Sequence, residues 1–536
     1  MDEAAQDTQA GPHEAGNDGM RGLARRASSV AAATMGSRLL GFMRDILIAS
    51  VLGAGPLADV FLAAFRFPLV VRRFFSEGAL NLSVLPALAQ RQAESGWEGA
   101  QALARSFLLR IALWMVPLLV LVFAAARPVA ELAAPGFDAI QTDRMAGLLR
   151  LMLPYLVCIV WVALLAAVCN FRDRFFLPAA IPAVFNVCII AGGGLAVFAG
   201  WDAAVAMAAC VSLAGAAQFA VLAPACRRLG FSLRGRANIR DPEAGVMIRR
   251  LGPVLLGSSS FQIMIVAATI LATELASGSV GAIYFADRII HFPLGIVGAA
   301  VATATLPSLA AHHAGNRRAE FRRAWQDGVT LALFLTLPAT AGLLALSGPI
   351  ASLLFERGAF DAQAAEATAR TLRGFTIGLP ALAASRALVS VLFAGNMIRQ
   401  AVAASLAGVL CFTVLAWPAM AWQGPAGLAA AGAVASWVVF LVQARAVSAH
   451  DGAGQESAWR AIMRRASMPL VLSVGVFFAA WGACDALPQS WERWSVLALA
   501  PLCGAGYMVA ALRLNVAEAR ALLQALRGRK GGSRSV

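Results

Sequence analysis

Long apolar runs alternate with short polar segments from Ser28 almost to the C-terminus. The runs fall at about 28–52, 57–86, 104–126, 147–169, 178–199, 203–226, 250–275, 280–310, 327–347, 371–394, 400–421, 425–447, 466–484 and 494–516. At 1.5 Å of rise per residue, roughly 20 residues of helix cross the ~30 Å hydrocarbon layer of a bilayer, so the pattern predicts fourteen transmembrane helices. Backbone polar groups in a bilayer must be satisfied within the segment, which makes helix the expected element throughout. The fold class is an all-α polytopic membrane protein. Gly36, Gly41 and Pro68 interrupt the first two runs, and Pro293 and Gly295 the eighth. Bends are expected there, bordering a hydrated path or, on the plainer reading, serving the close packing for which membrane helices use small residues.

An internal repeat organises the runs. GAGPLADVFLAAFRFPL (Gly53 to Leu69) resembles GSVGAIYFADRIIHFPL (Gly278 to Leu294), and LPALA at 85–89 is echoed by LPSLA at 306–310. PGFDA at 135–139 returns as RGAFDA at 357–362, and Leu153-Pro154 as Leu379-Pro380. A nearly constant offset over about a hundred positions marks a duplicated unit. Six runs separate corresponding elements, an even number, so both copies cross the membrane in the same direction. The expected arrangement is two parallel six-helix lobes around a central cavity plus two C-terminal helices. The expected divisions are a disordered extension (1–20), a first lobe (21–226), an Arg-rich cytoplasmic linker (227–249), a second lobe (250–449), the last two helices (450–517) and a basic tail (518–536). The extension is polar, acidic and Gly-rich, without the apolar core of a signal peptide.

Composition sets the environment. Sixty per cent of the 536 residues are hydrophobic and 14% are charged, a surplus of apolar side chains that points to lipid as solvent. The net charge of +15 raises the question of nucleic acid, but the arginines gather in short links between apolar runs, with no zinc-spaced cysteines or interleaved aromatic motif. No nucleic-acid partner is expected. One alternate set of links holds most of the arginines, and the bias of Lys and Arg toward the cytoplasm places both termini there. The eight cysteines lie in or beside apolar runs without short spacing and read as small packing residues. The five histidines form no metal-spaced cluster, and no Gly-rich nucleotide loop is present. Neither an enzyme nor a cofactor is expected, and any active transport would draw on the membrane potential or an ion gradient.

The candidate chemistry lies inside the membrane. Arg38, Arg44, Asp45, Asp59, Arg66, Arg72, Arg73 and Glu77 fall in or at the ends of the first two runs, and Asp287, Arg288 and His291 in the eighth. A charge near the bilayer centre costs roughly 2.5–3.5 kcal/mol or more, so such residues face a protein interior or a hydrated cavity. Bases outnumber acids. Guanidinium groups around one cavity suit a phosphate-bearing substrate, because their planar forks match phosphate oxygens bidentately. An internal ion-pair network without a ligand is the alternative.

Two long segments carry a resemblance. SRLLGFMRDILIASVLGAGPLADVFLAAFRFP (37–68), continued by VVRRFFSEGALNLSVLPAL (70–88), is similar to the signature of the MurJ/MviN family, and YFADRIIHFPLGIVGAAVATATLPSLA (284–310) and LFERGAFDA (354–362) resemble its later signatures. The resemblance runs from about Arg26 through the fourteenth helix and implies the MOP-exporter fold. It implies a lipid II flippase in the bacterial inner membrane, moving undecaprenyl-pyrophosphate-linked disaccharide-pentapeptide to the periplasmic leaflet by alternating access, for peptidoglycan synthesis. The implied partners are lipid II, membrane lipids and, transiently, the peptidoglycan synthesis machinery. It also implies that Arg38, Arg44, Arg72 and Arg288 bind substrate, with Asp59 and Glu77 at the family's acidic positions and Asp45, Arg73 and Asp287 as motif neighbours; Arg73 is expected to join the substrate set, and Arg66 and His291 to support it. Helices 13 and 14 resemble the family's lipid-tail groove. The alternatives are an exporter of another polyprenyl-pyrophosphate glycan and a non-transporting cell-wall scaffold. His291 stands where some members have Glu, Gly281 replaces a small hydroxyl residue, and 393–405 lacks the usual aspartate and proline.

Overall fold

The computed structural model describes residues 12–76, 79–249, 260–314, 318–395, 397–450 and 455–531. Among these there is no sheet, only an isolated bridge between Arg357 and Phe360. Among the described residues nine helices are long and apolar enough to cross a bilayer, or ten if Ala362–Thr376 and Leu379–Ala394, bent by 47°, form one span. The difference from fourteen has physical causes. Helices Pro12–Leu52 and Pro56–Ser76 carry the membrane charges, and the run at 250–275 is described only as Ser260–Ala272. The runs at 400–421 and 425–447 form one helix, Ile398–His450, that breaks at Gln423 and Gly424, the latter at φ 56°.

Two further expectations change. The helices continue through Pro68 and Pro293, since neighbouring helices can satisfy the single carbonyl each proline orphans. Helix also begins at Pro12, so residues 12–20 extend the first helix instead of forming a disordered segment; residues 1–11 lie outside the described residues.

The chain divides into two compact units, neither continuous in sequence. The first comprises Met1–Leu47, Val71–Ala124 and Leu149–Arg249. In it α1 (Pro12–Leu52), α2 (Ala79–Ala124), α3 (Pro154–Phe171), α4 (Phe176–Ala199) and α5 (Ala203–Arg228) supply the helices. Small residues let these helices meet closely: a Cβ on Gly192 of α4 would overlap the Cys210 sulfur of α5. That is how apolar helices associate where lipid offers no hydrophobic drive. The linker after α5 is fastened to α2. Arg105 donates to the carbonyls of Ser232, Arg234 and Arg236 at 2.9, 3.2 and 3.0 Å, the Ser232 and Asn238 amides donate to Gln101 and Ser106, and Arg91 pairs with Glu243 at 2.6 Å.

The second unit comprises Ile48–Val70, Ala125–Leu148 and Arg250–Val536. At its centre α6 (Ser279–Ala314) packs on α7 (Arg318–Ala345) and α8 (Ala362–Thr376). Phe285 of α6 meets Phe355 and Phe360 at ring-centroid distances of 4.8 and 5.2 Å, so two of the sequence signatures fold onto each other. The last spans dock on α7: Tyr507 donates to the Phe334 carbonyl, and Arg465 bridges Asp327 and Glu518 at 2.7 and 2.8 Å.

The sequence repeat reappears as an exchanged contact. The Gly136 amide donates to the Thr273 hydroxyl at 3.2 Å, and the Ala359 amide donates to the Ser50 carbonyl at 2.8 Å. Both members shift by one offset, since 359 − 136 and 273 − 50 are each 223. Each copy's FDA-bearing turn therefore seats on the end of the other copy's first helix, and a Cβ on Gly136 or Gly358 would overlap the carbonyl it faces.

Candidate functional site

In the first unit the site is built on α1 and α4. Arg44 and Asp45 are both almost fully buried, and Arg44 folds back so that Nε and Nη2 donate to Asp45 Oδ1 at 3.0 and 2.6 Å. Nη1 donates to Asn186 Oδ1 of α4 at 3.0 Å, and Asn186 Nδ2 donates to the Ser37 carbonyl at 3.0 Å. Phe185 presents its ring to two guanidinium groups, Arg44 at 5.9 Å and Arg72 at 4.7 Å from the centroid. Tyr155 supports that ring at 5.1 Å. Gly41 leaves room for the approach, because a Cβ there would lie 3.2 Å from Asn186 Nδ2, tighter than an ordinary contact. Removing one partner of a buried ion pair such as Arg44–Asp45 costs about 3–5 kcal/mol.

In the second unit the site is built on α6 and on the helix Pro56–Ser76. Asp287 is fully buried, with Arg66 Nη1 3.8 Å from one carboxylate oxygen and His291 Nδ1 3.1 Å from the other. Tyr284, one turn before Arg288, lies under both Arg288 at 4.7 Å and Arg66 at 5.5 Å. A guanidinium over a ring gains roughly 1–2 kcal/mol when desolvated and keeps its edge donors for other partners. Asp59 is buried and caps the start of α6, accepting from the Gly278 and Gly281 amides at 2.6 and 2.9 Å. Gly281, the replacement for a hydroxyl residue, thus takes part through its backbone.

Arg38 lies on the exposed face of α1 without an ion pair among the described residues, and Arg73 is half-buried. Glu77 lies outside the described residues. A cavity of about 670 Å³ elsewhere in the first unit is rimmed by Arg172, Arg174, Arg228 and Asp173, all exposed. It holds none of the membrane charges. Sequence reasoning missed Phe185, Asn186 and Tyr284. Asn186 is the one amide in an apolar 24-residue helix, and of only three tyrosines in the chain two support the arginine clusters; both signals were present.

Several apolar spans, with arginines and carboxylates held inside them and braced on aromatic rings, mark a multi-pass membrane protein of the transporter class. Comparisons with known proteins agree. The chain covers 100% of a MATE-family multidrug transporter of the MOP superfamily in its inward-facing conformation, at a TM-score of 0.63 and 15% identity over 80% of this chain. It superposes more closely on a lipid II flippase MurJ in an inward closed conformation: TM-score 0.77, 21% identity, covering 90% of this chain and 99% of that one. The probable lipid II flippase MurJ of Rhizobium meliloti (strain 1021) is 34% identical over 379 residues, 69% of this chain and 70% of the relative. The family model for lipid II flippase MurJ matches residues 48–500. The chain belongs to the lipid II flippase MurJ family. The matched segment starts after Arg38, Arg44 and Asp45, so their assignment rests on the signature residues and the geometry above.

Proposed function

We propose that this chain, a transporter and not an enzyme, flips lipid II and holds the pyrophosphate of its substrate on Arg44, Arg72 and Arg288, with Arg38 and Arg73 guiding the anion. The observation that carries this reading is the placement of Arg44 and Arg72 over one buried ring, Phe185. Stacking sets two guanidinium planes over one ring, and paired planar forks match phosphate oxygens bidentately. Asp45 and Asp287 then compensate and orient the bases, Arg66 and His291 sit against Asp287, and Asp59 and Glu77 are the acidic members of the set.

The substrate divides by solvation. Its pyrophosphate, sugars and peptide need water and charge, while the polyprenyl tail is at ease in lipid. Leu470, Val471, Val474, Phe478 and Trp481 on the helix Gln455–Asp485 are exposed and supply an apolar face for that tail. Alternating access exposes the headgroup first to the cytoplasmic side and then to the periplasmic side. The arginine-rich links support cytoplasmic placement of both termini. Resetting draws on the membrane potential or an ion gradient, and product is handed to the peptidoglycan synthesis machinery.

Purified protein in liposomes tests the reading. Arg72→Ala and Arg288→Ala are expected to reduce lipid II flipping at least about tenfold with insertion intact, and lysine at either position to restore only part of it, since a charge remains and the fork is lost. Unimpaired flipping in both alanine variants refutes the arginine cradle.

A further inference from the structure

We propose that Asn186, acting with Phe185, is a positioning residue that sets the guanidinium plane of Arg44 for substrate; this rests on the arginine reading above. Helix α4 is otherwise apolar along its 24 residues. A primary amide inside such a span is unfavourable unless both of its ends find partners. Here both do, and the partners fix its orientation. The Ser37 carbonyl can only accept and the Arg44 guanidinium can only donate, so Nδ2 must face Ser37 and Oδ1 must face Arg44. Interchanging the two atoms would break both bonds.

The amide is also aimed. Ser37, Gly41 and Arg44 follow one another at i, i+4 and i+7, a single face of α1. Gly41 removes the side chain that would otherwise push Asn186 away. Asp45 holds Nε and Nη2 from one side while Asn186 holds Nη1 from the other. The preceding residue, Phe185, lies beneath Arg44 and Arg72 together, backed by Tyr155. One dipeptide of α4 therefore sets the tilt of one arginine and the shared floor of two. A ligand phosphate read by planar forks is sensitive to that tilt, because misplacement by about 1 Å is enough to cost roughly 100-fold in a positioned reaction.

Asn186→Leu keeps the side-chain size and removes both bonds. In liposomes, the expected result is a rise of about tenfold in the lipid II fraction giving half-maximal flipping, with a smaller change in the maximal rate and an unchanged melting temperature. In an Arg44→Lys background, where the fork is already lost, the same substitution is expected to add less than about twofold. A purely structural bridge to Ser37 gives the opposite pattern: a lower melting temperature and full additivity with Arg44→Lys. Either that pattern or normal half-saturation in Asn186→Leu, while Arg44→Ala abolishes flipping, overturns the positioning role. Retained flipping in Arg44→Ala instead overturns the arginine reading beneath it.

Discussion

Replacing Asp59 by Ala is expected to loosen the seam formed by Ser50, Gly278, Gly281 and Ala359 before it affects any direct contact with substrate. The carboxylate is buried and accepts from two amides, Gly278 at 2.6 Å and Gly281 at 2.9 Å. These are donors at the start of a helix, which have no partner inside it. A hydrogen bond to a charged group contributes about 1.5–3 kcal/mol net, so losing two, with partial relief from water entering the gap, costs about 3 kcal/mol. At 1.4 kcal/mol per decade that is roughly 100-fold in the equilibrium between closed and open seam. Asp59→Asn keeps one acceptor oxygen and should cost about half as much, near tenfold. The Ala359 amide donates to the Ser50 carbonyl at 2.8 Å, so cysteines at 50 and 359, in a chain relieved of its eight native cysteines, report closure through a short bifunctional maleimide. A seam that starts roughly 100:1 closed falls toward 1:1 in Asp59→Ala, so the closed fraction drops from about 99% to about 50% and the cross-linking rate about twofold. Unchanged cross-linking in Asp59→Ala, alongside lost flipping, would falsify the capping role and return Asp59 to the substrate.

Two more outcomes follow from the geometry. Gly136→Ala and Gly358→Ala drive a methyl into the carbonyls of Thr273 and Ser50; each should cost about 1–3 kcal/mol by overpacking, and Gly358, at φ +61°, about 1–2 kcal/mol more. Thermal unfolding in detergent ranks Gly358→Ala below Gly136→Ala, with Gly475→Ala, which meets open space, close to wild type; three equal melting temperatures would discredit the seam. Arg105→Ala removes three bonds to the linker carbonyls and should speed tryptic cleavage at Arg234, Arg236 and Arg240 at least about tenfold by raising local opening, whereas an unaltered digestion rate would mean that Arg105 does not fasten the linker.

Partition into a bilayer is decided over windows of about 20 residues, and so the all-α class and most spans were legible from the sequence. Local windows also misled. Pro68 and Pro293 do not end their helices, which continue through both positions. Nothing in the sequence signals that three carbonyls of the Arg-rich linker accept from Arg105, more than 100 residues earlier in the chain. Which partners the membrane charges meet is decided at long range: Arg44 meets Asn186 across 142 residues, and Asp59 meets Gly278 across 219. Charge and hydropathy belong to single residues and can be read along the chain. The ring beneath an arginine, or the amide that a carboxylate caps, is a property of packed surfaces, and only the tertiary structure brings those surfaces together.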